Sequence, residues 1–174
     1  MTDKKLKSHR IKIDKIDKEI YALIQKRASH AVAIGKIKSK VSPKESFYKP
    51  DRETKILRNI LNANKKGLLP DSKIRAIYKE LISGCLSLEE ILKVAYLGPE
   101  ATHSEAAVHN QFGSQALRIP TSTIDDVFYQ VINDDVNLGV VPVENSSEGV
   151  INTTLNRLVA VSYTHLTLPT IRNG

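Results

Sequence analysis

The sequence is poor in residues that mark several protein classes. It has one cysteine, Cys85, and no tryptophan among 174 residues. A single thiol excludes an internal disulfide framework and is typical of a reducing compartment, so we expect a cytoplasmic protein. No apolar run approaches the roughly 18 residues that a membrane-spanning helix needs. The N-terminus, MTDKKLKSHRIKIDK, is too charged for a signal peptide.

Lysine is absent from the second half of the chain, and this absence distinguishes the two halves. Residues 1–93 hold 23 Lys and Arg against 11 Asp and Glu, a balance of +12. Residues 94–174 hold three Arg, no Lys and eight acidic residues, a balance of −5. At the same point a helix-like sequence gives way to a glycine-punctuated one, which predicts a domain boundary.

The first 93 residues carry no strand signal and predict three helices. The first, residues 6–41, contains no proline and would be roughly 50 Å long at about 1.5 Å per residue. A compact domain of about 100 residues has a radius of gyration of only about 13 Å, so this helix protrudes or a second copy packs along it. The other two are predicted over residues 50–66 and, with Asp71 as N-cap, 71–93.

Apolar residues of the first helix recur at three- and four-residue intervals and define one stripe. We call it the apolar stripe: Leu6, Ile13, Ile16, Ile20, Leu23, Ile34, Ile37 and Val41. Arg27 and His30 interrupt the stripe. An interior arginine needs an anionic partner, whereas we interpret His30 as a packed, hydrogen-bonded histidine.

Further cations on this helix suggest an anion site. Lys38 lies about three turns after Arg27 on the same face, so both side chains could reach one small anion. Arg10 is about 25 Å from Arg27 along the axis, so it would serve that site only from a partner chain. A dicarboxylate needs cations near both ends, and arginine can bind a carboxylate with two hydrogen bonds. The later helices add further candidates: Arg52, Glu53, Cys85 and Glu89.

From Val94 onward, three strand-like segments (VAYLG, ALRIP and LGVVPVEN) alternate with helix-like ones, which predicts a parallel α/β sheet. Ligands of such sheets bind at the carboxyl ends of the strands, here the loops 98–104, 120–123 and 144–147. Hydroxyl and backbone donors there could hold carboxylates, although helix capping alone is the alternative. The candidates are Thr102, Ser104, Glu144, Asn145, Ser146 and Ser147. The histidines show no metal-like spacing, and we expect no metal.

Several motifs resemble known families. Arg10, Arg27, the segment GKIK at 35–38 and the segment PDRE at 50–53 resemble the all-helical chorismate mutase family. The segments AYLGPEATHSEAA and GVVPVENSSEG resemble the start of prephenate dehydratase. In this order the halves are similar to the bifunctional family of phenylalanine biosynthesis. Two departures are Ala101, where relatives usually have glycine, and His103, where an aromatic residue is common.

The resemblance implies an α plus α/β architecture. Residues 1–93 would form a three-helix chorismate mutase domain in an intertwined all-helical homodimer. Residues 94–159 would form part of the parallel α/β lobe of the periplasmic-binding-protein-like prephenate dehydratase fold. The resemblance stops after Val159, so we interpret residues 160–174 as a non-native tail. Because the family's Thr-Arg-Phe motif and its phenylalanine-sensing domain are missing, we expect a truncated protein without dehydration of prephenate to phenylpyruvate.

The resemblance also implies roles for the candidate residues in the rearrangement of chorismate to prephenate. Arg27, Lys38 and the neighbouring chain's Arg10 would clamp the two carboxylates, and Glu53 would accept the substrate hydroxyl. Glu89 would face the ether oxygen. An ionised carboxylate only accepts hydrogen bonds and would repel charge developing there, so we predict that Glu89 works protonated and that activity favours mildly acidic pH.

The remaining residues have supporting roles in the same picture. Arg52 would order the mutase site, and Cys85 would pack beside it. The polar loops of the second half would bind prephenate. The pericyclic reaction needs no nucleophile and no cofactor.

Two other classes of function stay open. Cations that bind a metabolite without turnover would make the chain a non-catalytic binding module. A basic helical segment could also bind nucleic acid, with an affinity that falls steeply with salt. The acidic second half and the scarcity of aromatic motifs argue against nucleic acid, and a chorismate disappearance assay separates both alternatives from an enzyme.

Overall fold

The computed structural model describes residues 2–41, 48–145 and 149–160. The chain forms two compact units. The helical unit comprises Met1–Lys93 and His109–Leu117, and the sheet unit comprises Val94–Val108 and Arg118–Gly174. Each unit is described separately.

Three helices build the helical unit. Helix α1 is continuous over 40 residues, Thr2–Val41. Helix α2, Pro50–Ala63, begins with proline in its first turn and is followed by a 3₁₀ turn, Asn64–Lys66. This start agrees with the prediction, because proline has no N–H and the first helical N–H groups have no intrahelical partner.

Helix α3, Asp71–Leu86, differs from the predicted third helix at both ends. Pro70 is the N-cap, and Asp71 lies in the first turn, where its Oδ1 accepts a hydrogen bond of 2.7 Å from Asn64 Nδ2. The helix ends at Leu86, so its predicted end at Lys93 is wrong. A bond from Glu89 N–H to Leu86 O of 2.8 Å spans three residues and tightens the chain into a turn before the first strand.

Packing in the helical unit leaves much of α1 uncovered, including the whole of the apolar stripe. Helix α3 packs against both α1 and α2, and the buried side chains include Ala31, Leu57 and Cys85. The eight residues of the apolar stripe are between 47% and 76% exposed in the single chain. A contiguous exposed apolar surface of this length is typical of an interaction surface.

The sheet unit is organised around a three-stranded sheet in the order β2-β1-β3. Strand β1 pairs in parallel with β3, with Val94 opposite Leu138 and Ala95 opposite Gly139, as predicted for a parallel α/β sheet. A short antiparallel pair, β4 and β5, follows. The elements in chain order are β1 Lys93–Leu97, α4 His103–Phe112, β2 Leu117–Thr121, α5 Ile124–Ile132, β3 Leu138–Val140, β4 Glu144–Asn145, β5 Gly149–Val150 and α6 Asn152–Ala160.

The third predicted strand, residues 138–145, is wrong as a single strand. It is divided into β3 and β4, and Pro142 lies between them. Proline lacks the N–H that a continuing ladder requires, so the pairing with β1 stops before it. As a result Glu144 and Asn145 belong to the second, antiparallel pair.

The core of the sheet unit lies between the sheet and its helices. Ala95, Val127 and Val136 form one buried cluster. Helix α5 is held at its start by the predicted cap, because Thr123 Oγ1 accepts from Asp126 N–H and Asp126 Oδ2 accepts from Thr123 N–H, both at 3.1 Å. Across the described ranges, none of the helices has the length and apolar character to span a bilayer.

Candidate functional site

Arg27 is directed from α1 toward α3. Its guanidinium is half-buried, and Nη1 donates a hydrogen bond of 3.3 Å to the carbonyl oxygen of Leu81. A guanidinium carries five N–H donors in a planar fork. One bond to a carbonyl therefore leaves the fork able to bind a carboxylate as well.

Lys38 and Glu89 meet one another in the helical unit. Lys38 Nζ lies 3.3 Å from Glu89 Oε2, and the two side chains are 30% and 11% exposed. Glu89 reaches Lys38 from the turn after α3 and not from the helix itself. Glu89 was predicted inside the third helix and lies beyond the end of that helix, although it still faces α1.

Gly35 makes this approach possible. A β-carbon on Gly35 would lie 3.2 Å from Glu89 Cα and 3.3 Å from Glu89 Cβ, which is closer than side chains normally pack. Gly35 was quoted in a motif but not as a site residue. The available signal was a glycine inside a helix, where alanine would be favoured by about 1 kcal/mol.

Glu53 lies on α2 and is half-buried. Burial raises the pKa of its carboxyl, and the positive charge of Lys79 on α3 acts in the opposite direction. Burial lowers the pKa of Lys79, which the charge of Glu53 counteracts and the charge of Arg75 reinforces. Sequence reasoning did not identify Lys79. The available signal was its position three residues before Ile82, which places both side chains on neighbouring parts of one helical face.

The other candidates of the helical unit are not brought to this site within one chain. Arg10 and Arg52 are exposed, and Arg10 lies on α1 about 25 Å from Arg27 along the axis. Cys85 is a buried free thiol, 5% exposed. His30 is exposed in the single chain.

In the sheet unit, the loop after β1 is organised by Glu105. Ala101 has a φ of +61°, a left-handed conformation that costs an alanine roughly 1–2 kcal/mol. Its N–H donates to Glu105 Oε2 at 2.6 Å, and Arg118 Nε lies 3.5 Å from Glu105 Oε1. Thr102 Oγ1 accepts from Glu105 N–H at 3.4 Å, so Thr102 has the capping role that the sequence left open.

An open cleft of about 520 Å³ lies at the carboxyl edge of this sheet. It is lined by Gly98, Pro99 and Glu100 after β1 and by Pro120, Thr121 and Ser122 at the end of β2. Two of the three predicted loops therefore border one cleft. Glu100 and Ser122 lie in those loops but were not singled out from the sequence.

The other sheet-unit candidates have different placements. Ser104 is half-buried in the first turn of α4, and Glu144 is exposed on β4 next to Asn145. Ser146 and Ser147 lie outside the described residues. Among the residues that the structure describes, no three His, Cys, Asp or Glu side chains cluster as metal ligands would.

Comparison with known proteins identifies both halves. Residues 9–90 match the family model for chorismate mutase type II, and residues 94–168 match the one for prephenate dehydratase. A bifunctional chorismate mutase/prephenate dehydratase from Stutzerimonas stutzeri is 44% identical over 154 residues. Proteins with the same name from Aquifex aeolicus and Escherichia coli K12 are 47% identical over 154 residues and 26% over 159. The two halves of the chain are thus similar, in the same order, to the two parts of these bifunctional relatives.

Each alignment covers most of the present chain but less than half of the relative. The first and second of these alignments cover 87% of the present chain and 42% of the relative, and the E. coli alignment covers 82% and 41%. The chain thus spans less than half the length of these bifunctional relatives. The dehydratase match continues to residue 168, past the predicted start of a tail at residue 160, and residues 161–174 lie outside the described residues.

The mutase and dehydratase matches meet near Lys93, where the compact units also divide. One segment departs from this division. Residues 109–117 fall in the dehydratase match but belong to the helical unit. The mutase candidates Arg27, Lys38, Glu53 and Glu89 all lie in that same unit.

Proposed function

We propose that the helical unit converts chorismate to prephenate and that the cleft of the sheet unit binds prephenate. The observation that carries the first part is the pair of cations on α1, one of which the Glu89 carboxylate reaches from the turn after α3. Arg27 and Lys38 lie on one side of α1, about 16 Å apart along its axis, with Glu89 against the second of them. A small dicarboxylate has anionic groups that suit this spacing.

The proposed rearrangement breaks one C–O bond as a C–C bond forms within the same molecule. It needs no group transfer, so the protein contributes by holding a compact conformer and stabilising charge on the ether oxygen. Arg27 binds one carboxylate, and Lys38 serves the other carboxylate and the ether oxygen. Glu53 accepts the substrate hydroxyl, and Arg52 orders the start of α2.

Glu89 has two states with different consequences for Lys38. An ionised Glu89 carboxylate accepts a hydrogen bond from the Lys38 ammonium, and the two groups lie 3.3 Å apart in the structure. A protonated Glu89 loses that attraction and gains an O–H donor. We propose that the protonated state is the active one, because it weakens the attraction between Glu89 and Lys38 and supplies a hydrogen bond to the ether oxygen.

The proposed assembly is a homodimer formed through α1. Its support is the exposed apolar stripe, which runs from Leu6 to Val41 without cover from its own chain. A second copy in the opposite direction would cover the stripe and bring its own Arg10 toward Arg27. This arrangement gives a role to an arginine that lies about 25 Å from the site in its own chain.

In the sheet unit, the proposed prephenate site is the cleft at the carboxyl edge. Backbone and hydroxyl donors of its two loops can bind carboxylates, and Thr102 and Ser104 lie at the start of α4 beside them. The proposed domain boundary stays between residues 93 and 94. The single free cysteine supports the proposed cytoplasmic location.

The first test is chorismate turnover by the purified chain, followed as chorismate disappearance and prephenate formation. Arg27→Ala should lower kcat/KM by roughly 100-fold, because it removes a charged donor to the substrate. Lys26→Ala is the matched control, since Lys26 is an exposed cation on the neighbouring position of α1, and it should change the rate less than about twofold. Chorismate binding without turnover would instead establish the non-catalytic module.

A further inference from the structure

Residues 109–117, which we call the clasp, make an extensive set of bonds to α3 inside the helical unit. Ser114 donates to the Glu80 carboxylate from its backbone N–H, at 3.2 Å to Oε1, and from its hydroxyl, at 2.6 Å to Oε2. Gln115 N–H donates to Ser83 Oγ at 3.3 Å. Hydrogen bonds to a charged carboxylate are stronger than neutral ones, so Glu80 is the main anchor.

Gly113 sets how closely the clasp approaches α3. Its φ is +77°, and a β-carbon there would lie 2.6 Å from Ser83 Cβ, a distance that real side chains do not adopt. Only glycine combines this backbone conformation with this contact. The clasp is therefore fitted to α3 and does not merely lie over it.

The clasp also contacts Tyr48, which lies two residues before the start of α2. Gln111 Nε2 donates to the Tyr48 hydroxyl at 3.3 Å, and the rings of Phe112 and Tyr48 meet edge to face with centroids 5.3 Å apart. Tyr48 is followed by Lys49, whose carbonyl accepts the N–H of Glu53 at 3.2 Å. The clasp thus anchors the chain one residue before the N-cap of α2, and the first turn of that helix carries Glu53.

A second connection runs through α3. The Lys79 ammonium donates to the carbonyl oxygen of Asn110 in the clasp. Lys79 is half-buried on α3, which packs against α2. A half-buried ammonium that is bonded to a fixed carbonyl has few other positions available.

We propose that the clasp is a positioning element for the mutase reaction: through Tyr48 and Lys79 it sets the place and charge environment of Glu53. This inference rests on the proposed role of Glu53 as acceptor of the substrate hydroxyl. It assigns a part in the mutase reaction to a segment that the family comparison places in the dehydratase.

The charges around Glu53 give this inference a measurable sign. The charge of Lys79 on α3 acts on Glu53, that of Arg75 acts on Lys79, and Tyr48 lies before α2 within reach of the Glu53 charge. Burial already raises the pKa of Glu53, and Lys79 opposes that rise. Loss of the Lys79 charge therefore raises the Glu53 pKa further. Glu53 then becomes protonated, and a weaker acceptor for the substrate hydroxyl, at a higher pH.

The experiment uses the full chain with ¹³C-labelled glutamate carboxyls, with the Glu53 signal assigned by its loss in Glu53→Gln. Lys79→Met should move the Glu53 titration to higher pH, and Lys79→Arg should restore it. Lys73→Met, which removes an exposed cation of the same helix, should not move it. The acid limb of the pH profile of mutase kcat/KM should move in the same direction as the titration.

The clasp itself is tested with a pair of glycine variants. Gly113→Ala should lower mutase kcat/KM by roughly tenfold to 100-fold, because the new methyl displaces the clasp from Ser83. Gly84→Ala on α3 is the control, since nothing lies within 4 Å of a β-carbon there, and its rate should change less than about twofold.

The outcomes separate the inference from the proposed function. A Glu53 titration that does not respond to Lys79→Met overturns the positioning role. A titration that moves while the acid limb of kcat/KM stays in place overturns the part of Glu53 in the reaction. Absence of chorismate turnover in the unmodified chain overturns the proposed function, whereas the carboxyl titration would still report on Lys79 and Glu53.

Discussion

At the scale of single residues, the proposed mutase site depends on the close approach of Gly35 to Glu89. Glu89 lies in a turn whose Cα approaches α1 at Gly35, and its carboxylate binds Lys38 at 3.3 Å. Arg27 reaches α3 from the same helix. Glu89 is therefore one partner that would compete with a substrate carboxylate for the Lys38 ammonium.

Glu89→Gln should remove the alkaline limb of the mutase pH profile. A glutamine amide donates a hydrogen bond at every pH, whereas Glu89 donates only when it is protonated. The wild-type chain should be more active near about pH 5 than near about pH 8.5, and the variant should lose that difference. Glu90→Gln, a change of the neighbouring carboxylate, should keep the wild-type profile. Equal wild-type activity at both pH values would contradict a protonated Glu89.

At the scale of elements, the approach of α1 to the turn after α3 is the decisive packing feature. Leucine and isoleucine side chains of α1 remain exposed, while Ala31 and Gly35 are its buried positions in the single chain. Small residues thus mark where α1 meets the rest of the helical unit. The residues of the apolar stripe remain at least 47% exposed in the single chain.

Gly35→Ala should damage the mutase site without unfolding α1. Alanine favours a helix over glycine by about 1 kcal/mol, but its methyl would lie 3.2 Å from the Glu89 backbone. We expect a decrease in kcat/KM of roughly tenfold or more, with helix content by circular dichroism unchanged. A Gly35→Ala protein with wild-type kinetics would show that the turn at Glu89 moves freely, against the present account.

At the scale of the whole molecule, the helical unit is not a contiguous stretch of sequence. Residues 109–117 return to it from the dehydratase match, and bonds to Glu80 and Ser83 hold them there. In the proposed homodimer, each site would also take Arg10 from the other copy of the chain.

Mixing two inactive variants tests the shared site. Arg10→Ala and Arg27→Ala homodimers should each be inactive, whereas a heterodimer keeps one site with both arginines intact. Random exchange of subunits should therefore restore about a quarter of wild-type activity. Analytical ultracentrifugation provides the matching measurement, because the proposal requires a dimer and Leu23→Glu on the apolar stripe should dissociate it. Mixtures that remain inactive despite verified subunit exchange would exclude a shared site.

Local sequence signals predicted the elements whose causes are local. The long proline-free run became α1, proline marked the start of α2, and Thr123 formed the capping box of α5. The predictions were wrong at element ends that depend on contacts with residues far away in the sequence. The third helix stops at Leu86, where the chain tightens into a turn before β1, and the third strand is divided because Pro142 stops its pairing with β1.

The sequence by itself determined the two halves, the resemblance of each half to a known family and the cationic helix, because periodicity, charge and motif spacing depend on neighbouring residues. Only the tertiary structure placed Glu89 against Gly35, the Lys79 ammonium on the carbonyl of Asn110 and the clasp on α3. Each of these contacts joins residues more than 20 positions apart. Their formation depends on how helices pack and where a turn replaces a helix, which no local pattern in the chain encodes.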